Sequence, residues 1–154
     1  MSVVLYDVNI WIALAFDKHP HHALATGEFA EADSLSPAAF CRTSQQAFLR
    51  LVTTPAIQEC YDIKGITNEK AWKVWESLIL LPQVGWLDEP PGLQELWGHY
   101  GSNRSVAPKV WADAYLAAFA KAYDIEFLTL DDDFLKFEGL SVKLLSAKTT
   151  ENSE

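Results

Sequence analysis

Two kinds of apolar block alternate along the chain. Short runs, Val3–Tyr6, Ser36–Arg42, Val84–Leu87, Glu126–Thr129 and Val142–Leu145, are bounded by turn-forming or charged residues and read as strands. Between them lie longer segments with apolar residues three and four apart, and these predict helices over Val8–Phe16, Pro20–Ala32, Gln45–Val52, Asn68–Leu81, Pro90–Tyr100 and Ala107–Tyr123. In Asn68–Leu81 the repeat is clear: Ala71, Trp72, Trp75, Leu78 and Ile79 share one face. Gly101-Ser102-Asn103-Arg104-Ser105 is a loop. Strands separated by helices pair in parallel, because parallel neighbours need a long crossover rather than a tight turn. The pattern therefore predicts an α/β fold, a three-layer α/β/α arrangement with a central, mostly parallel sheet. One domain is expected over residues 1–147, with a polar tail at 148–154.

Composition narrows the class. The chain has 154 residues, 49% of them hydrophobic and 21% charged, enough to bury a core and too apolar for a disordered chain. No apolar run approaches the roughly 18 residues of a membrane span. The N-terminus, Met1-Ser2-Val3-Val4, lacks the basic start of a signal peptide, so a cytoplasmic protein is expected. Cys41 and Cys60 stand outside any CxxC spacing and read as reduced thiols. The net charge of −9 argues mildly against nonspecific nucleic-acid binding, which depends on phosphate neutralisation. It does not exclude phosphate chemistry, since carboxylates gathered around a metal ion also count as negative.

The candidate chemistry lies at strand ends. In parallel α/β sheets the ligand site sits beyond the carboxyl ends of the strands. Asp7 directly follows Val3–Tyr6, and Asp131 directly follows Phe127-Leu128-Thr129-Leu130. Asp113 joins them from the start of the Ala107–Tyr123 helix. Leu116, Ala117 and Ala120, three, four and seven positions on, are all apolar, so Asp113 points to the core side. A buried carboxylate must be hydrogen-bonded, protonated or metal-bound. Clustered carboxylates suit Mg²⁺ or Mn²⁺ rather than Zn²⁺. Each aspartate also has an ordinary structural reading: Asp7 as a helix cap, Asp113 as a first-turn acid, Asp131 as a turn residue.

Three segments carry a resemblance. Asp7-Val8-Asn9-Ile10-Trp11, Ala112-Asp113-Ala114-Tyr115-Leu116-Ala117-Ala118 and Thr129-Leu130-Asp131-Asp132-Asp133-Phe134 resemble, in order, the signature segments of PIN-domain ribonucleases, above all the VapC-type toxins of toxin–antitoxin pairs. His19-Pro20-His21-His22-Ala23 and Phe48-Leu49-Arg50-Leu51-Val52-Thr53 are similar to one branch of that family. The resemblance implies a PIN-like fold and a metal-dependent endoribonuclease that cleaves RNA by metal-activated water. It implies Mg²⁺ or Mn²⁺ held by Asp7, Asp113 and Asp131, with Asn9, Thr129 and Asp133 supporting them. It also implies a cognate antitoxin protein and a homodimer. Many PIN nucleases carry a glutamate on the helix after the second strand; here Ala47 stands at that position, with neutral Gln45 and Gln46 close by and Asp132 or Asp133 to compensate. Two rival readings remain. One is a PIN-fold RNA- or protein-binding module that has lost catalysis, with Ala47 as its sign. The other is a phosphatase or phosphotransferase using Asp7 as nucleophile, for which Asn9 stands where a second aspartate is needed.

The remaining residues add smaller expectations. His19, His21 and His22 read as solvated or helix-capping rather than as zinc ligands, because Pro20 interrupts them and no HxxxH spacing is present. His99 reads as structural. Trp72 and Trp75 are expected in the core, as are Trp11 and Trp111, although the last two, close in sequence to Asp7 and Asp113, also suit stacking on an RNA base or packing an antitoxin helix. Arg42, Arg50, Arg104 and Lys109 flank the aspartates, either to meet phosphates or as scattered solubilising charges.

Overall fold

A computed structural model describes residues 2–146; the polar tail expected at 148–154 lies outside the described residues. The strands are β1 (Val4–Tyr6), β2 (Ala38–Phe40), β3 (Val84–Trp86), β4 (Glu126–Thr129) and β5 (Val142–Leu144). The helices are α1 (Val8–Ala15), α2 (His22–Phe29), α3 (Arg42–Val52), α4 (Pro55–Cys60), α5 (Asn68–Ile79), α6 (Leu93–Gly101) and α7 (Val110–Tyr123), with a 3-10 turn at Asp132–Lys136.

The five strands form one sheet in the order β3-β2-β1-β4-β5, every neighbouring pair parallel. A parallel sheet is covered on both faces, so its strands are apolar at successive positions. Leu5 and Phe127 face one layer, with Ala114, Ala117 and Phe119 of α7 and Leu93 of α6. Tyr6 and Leu128 face the other, with Ile10 and Trp11 of α1, Phe48 and Val52 of α3, and Ala71 of α5. Trp11 fulfils its core expectation: it is 1% exposed and stacks on Phe40 with ring centroids 3.9 Å apart. Alanines let α7 approach the sheet closely, with Ala114, Ala117, Ala118 and Ala120 fully buried. The helix stops at Asp124, whose left-handed backbone (φ 55°) is a conformation that short polar side chains tolerate.

Several boundaries and environments differ from the sequence expectations. The second strand shortens to Ala38–Phe40, and α3 begins early, at Arg42, because Ser44 Oγ accepts from the Cys41 backbone N–H at 2.9 Å and so starts the helix. The helix α4 was not expected; with six residues it is too short to show a periodic pattern, and Pro55 in its first turn is its main local signal. Trp72 and Trp111 are not core residues. Trp72 is 47% exposed; α5 meets the core through Ala71, Trp75, Leu78 and Ile79 instead. Trp111, 46% exposed, sits at the start of α7 and lies against Gly101, where a Cβ would come within 2.5 Å of its ring. His99 is an exposed residue of α6, its ring centroid 5.8 Å from that of Tyr100. Among the three clustered histidines, His22 Nδ1 lies 2.8 Å from the Ala13 carbonyl oxygen, and His19 Nδ1 accepts from the His21 backbone N–H. His21 precedes α2 without a side-chain capping bond. No helix among the described residues is long and apolar enough to cross a membrane.

Candidate active site

The carboxyl ends of β1 and β4, neighbours at the middle of the sheet, are tied together by one hydroxyl. Asp7 follows β1 and caps α1: its Oδ1 accepts from the Val8 backbone N–H at 2.7 Å. Its Oδ2 accepts from Thr129 Oγ1, also at 2.7 Å. Thr129, the last residue of β4, is fully buried. Its oxygen in turn accepts from Asn9 Nδ2 at 3.2 Å and from the Asp131 backbone N–H at 3.0 Å. Asn9 completes the lacing by accepting from the Leu130 backbone N–H through Oδ1 at 3.2 Å. Asp131 Oδ1 accepts from the Asp133 N–H at 2.9 Å and thereby starts the 3-10 turn. Asn9, Thr129 and Asp133 therefore all hydrogen-bond to the aspartates or to each other.

The electrostatics of this corner are strained. Asp7 is 6% exposed, and its pKa is pushed up to about 6. Burial is the main cause; the hydrogen bonds from Thr129 and Val8 oppose it, while the charges of Asp113 and Asp131 add to it. Asp113, half-buried on the first turn of α7, is also raised, by burial first and then by Asp131 and Asp133, with Lys136 pulling the other way. The three aspartates thus sense one another's charge. The tightest grouping among the described residues is a different one: Asp131, Asp132 and Asp133 each bring a carboxylate oxygen within 4.8 Å of the others, and Asp7 and Asp113 stand outside it. All these donors are carboxylate oxygens, the set that a hard divalent cation takes, and its positive charge would offset both the burial and the repulsion that raise Asp7 and Asp113.

On α3, Ala47 is half-buried, and the polar residues turned to the interior are Ser44 and Gln45, 2% and 3% exposed. Two residues are about 200° apart around a helix, so Ala47 and Gln45 look in opposite directions. Gln45 Oε1 accepts from Arg42 Nη1 at 2.7 Å. Sequence reasoning missed the contact between Arg42 and Trp86, the charge of Lys136 beside Asp113, and the bond from the Tyr115 hydroxyl to Glu89 at 2.9 Å. These pairs join distant segments and leave no local pattern.

Comparison with known proteins places the chain. The PIN domain family model matches residues 4–140. Ribonuclease VapC41 of Mycobacterium tuberculosis is 35% identical over 145 residues, which cover 94% of this chain and 99% of the relative. The chain belongs to the PIN domain family, among its VapC-type members. Solved structures of PIN toxins share the fold at low identity. VapC20 of M. tuberculosis, described as a sarcin–ricin loop cleaving toxin, gives a TM-score of 0.63 at 16% identity, covering 90% of this chain and 98% of the other. DNA-bound VapBC from Salmonella typhimurium gives 0.63 at 14%, covering 95% and 100%. The PIN match spans all three aspartates, from the end of β1 to the turn after β4.

Proposed function

We propose that this PIN domain is a metal-dependent endoribonuclease acting as the toxin of a toxin–antitoxin pair. The observation that carries the reading is Asp7: a carboxylate 6% exposed, held by a buried threonine, and crowded by two further aspartates. Such an arrangement is unfavourable in a merely structural role and favourable where a cation is to be held. The 35% identity to a relative named as a ribonuclease supports the reaction class.

Asp7, Asp113 and Asp131 are the residues assigned to hold the ion, Mg²⁺ or Mn²⁺. When bound, such an ion lowers the pKa of a coordinated water and stabilises charge on a phosphate. The chain's own residues prepare for it. Thr129 fixes Asp7 Oδ2, Asn9 locks the β1 and β4 corners together, and the Asp133 N–H fixes one oxygen of Asp131. Cleavage of single-stranded RNA should require Mg²⁺ or Mn²⁺ and stop on adding EDTA. Undiminished cleavage in chelator removes the mechanism.

One observation favours a second reading, a catalytically impaired RNA- or protein-binding module. The helix α3, Arg42–Val52, contains no acidic residue, so the metal site lacks any carboxylate from that side. RNA binding without cleavage at saturating Mn²⁺ would establish it. For the partner, an antitoxin is supported by structural neighbours solved as VapBC complexes. Trp72, Val74, Leu80 and Leu81 are exposed apolar side chains on and just after α5, of the kind a protein partner covers.

A further inference from the structure

We propose that Arg42, laid over Trp86 and tied to Gln45, is a phosphate-binding residue for single-stranded RNA running along the carboxyl edge of the sheet beside the aspartates. The proposal rests on the nuclease reading and adds a substrate-binding residue on α3.

The placement follows from register. Val4 pairs with Ala38 and Leu5 with Ala39, so Asp7 and Cys41 end up level, and Arg42, the second residue beyond β2, opens α3. Phe40 pairs with Trp86 at the end of β3. Along the carboxyl edge the order is therefore Trp86, Arg42, Asp7, Asp131. Neighbouring strands are about 4.8 Å apart, which puts the Trp86 strand about 10 Å from that of Asp7.

The side chain of Arg42 is oriented without an anion. Its guanidinium carbon lies 4.8 Å from the Trp86 ring centroid, and Nη1 donates to Gln45 Oε1 at 2.7 Å. The indole is itself fixed by Nε1 donating to Asp88 Oδ1 at 3.0 Å, and Trp75 packs edge-on against it. Gln45 is buried, so it anchors Arg42 from below. Among the described residues the ion pairs are Lys18–Asp62, Lys73–Glu69 and Lys143–Glu28, and Arg42 belongs to none. A guanidinium has five N–H donors in a planar fork. One is spent on Gln45, and Arg42 is exposed, so the rest of the fork is available to phosphate oxygens. Stacking on the indole lowers the entropy lost on binding. In a chain with net charge −9, an unpaired and oriented cation one strand from the aspartates is a specific device for attracting RNA to an acidic site.

The test uses a short fluorescent single-stranded RNA, with Ca²⁺ replacing Mg²⁺ for binding and Mg²⁺ restored for cleavage. R42A should weaken binding about tenfold and lower the magnitude of the log Kd against log salt slope by about 0.7, the loss of one phosphate contact on a single strand. It should raise KM with kcat nearly unchanged. R42K should keep the slope and lose part of the affinity, because it keeps the charge without the fork or the stack. K121A, at the far end of α7 from Asp113, is the control and should change neither. A purely structural Arg42 moves melting temperature but not the salt slope. Wild-type affinity and slope in R42A, with the wild type binding and cleaving, overturns this residue assignment alone. A wild type that fails to bind the RNA overturns the nuclease reading with it. An R42A that keeps RNA affinity but no longer binds a poly-glutamate peptide assigns the residue to an acidic protein partner and overturns the RNA proposal.

Discussion

Two corners of the same sheet edge use polar residues in opposite ways. At the β1–β4 corner, Asp7, Thr129 and Asn9 are bound to one another across about 120 residues of sequence, and Asp7 and Thr129 are almost wholly withdrawn from water. At the β2–β3 corner, Arg42 lies on the surface of an indole, and only its Gln45 anchor is buried. The first corner has unfavourable negative charge held by rigid hydrogen bonds; the second has favourable positive charge held by stacking. A site meant to hold a cation beside a polyanion would use both kinds, and here they stand at the ends of different strands.

The largest expected effect comes from removing one charge at the first corner. Asp113→Asn should abolish cleavage while apo stability stays equal or rises, because Asp113 is raised by burial and by Asp131. Loss of stability with retained activity, read by thermal melting beside an RNA cleavage assay, would make Asp113 a structural helix acid.

Next is the hydroxyl that ties the corner together. Thr129→Val leaves Asp7 Oδ2, Asn9 Nδ2 and the Asp131 N–H without their partner. It should cost about 1–3 kcal/mol in denaturant melts, whereas Thr129→Ser should cost about 1 kcal/mol or less. Equal effects of the two would show that the methyl, not the hydroxyl, matters.

The pH dependence of the metal-free protein is smaller. Asp7 ionises near pH 6 when folded and near 3.8 when unfolded, so between these values the folded state binds the proton more tightly. The stability linked to Asp7 is therefore fully present below about pH 4 and is lost as pH rises through about 6, a loss of up to about 3 kcal/mol that already includes the Thr129 bond, which favours the ionised form. Excess Mg²⁺ should flatten this fall, and so should Asp7→Asn. Denaturant titrations from pH 4 to 7 with and without Mg²⁺ measure it; a profile that metal leaves unchanged would separate Asp7 from metal binding.

The smallest effect tests whether the second corner can be made to resemble the first. Gln45→Glu should lower the Mg²⁺ concentration needed for half-maximal cleavage by a few-fold, part of the new charge being taken up by Arg42, whereas Ala47→Glu should leave it unchanged. The reverse outcome would restore Ala47 to the position suggested by sequence.

What could be read from sequence was what local pattern controls. Asp7 and Asp131 were legible because each lies within two residues of the end of an apolar strand, and a parallel sheet brings its strand ends to one edge. Asn9 and Thr129 were named through family resemblance, but their mutual bond could not be, because it spans 120 residues. Trp72 and Trp111 were misplaced for a related reason: periodicity shows which face of a helix is apolar, not how much of it the rest of the fold covers. The pairing of Arg42 with Trp86 depends on the register of two strands and had no signature in either segment.

The bond from Thr129 to Asp7 has a consequence for biosynthesis. It joins residues 122 positions apart, and the pairing of β1 with β4 needs the same long closure. A ribosome has made most of the chain before β4 exists, and folding that waits on such distant pairing is slow. Until then Asp7 is an ordinary carboxylate at the end of an unpaired segment. The buried, raised carboxylate of Asp7 is thus a late product of folding, made only when β4 returns to the first strand.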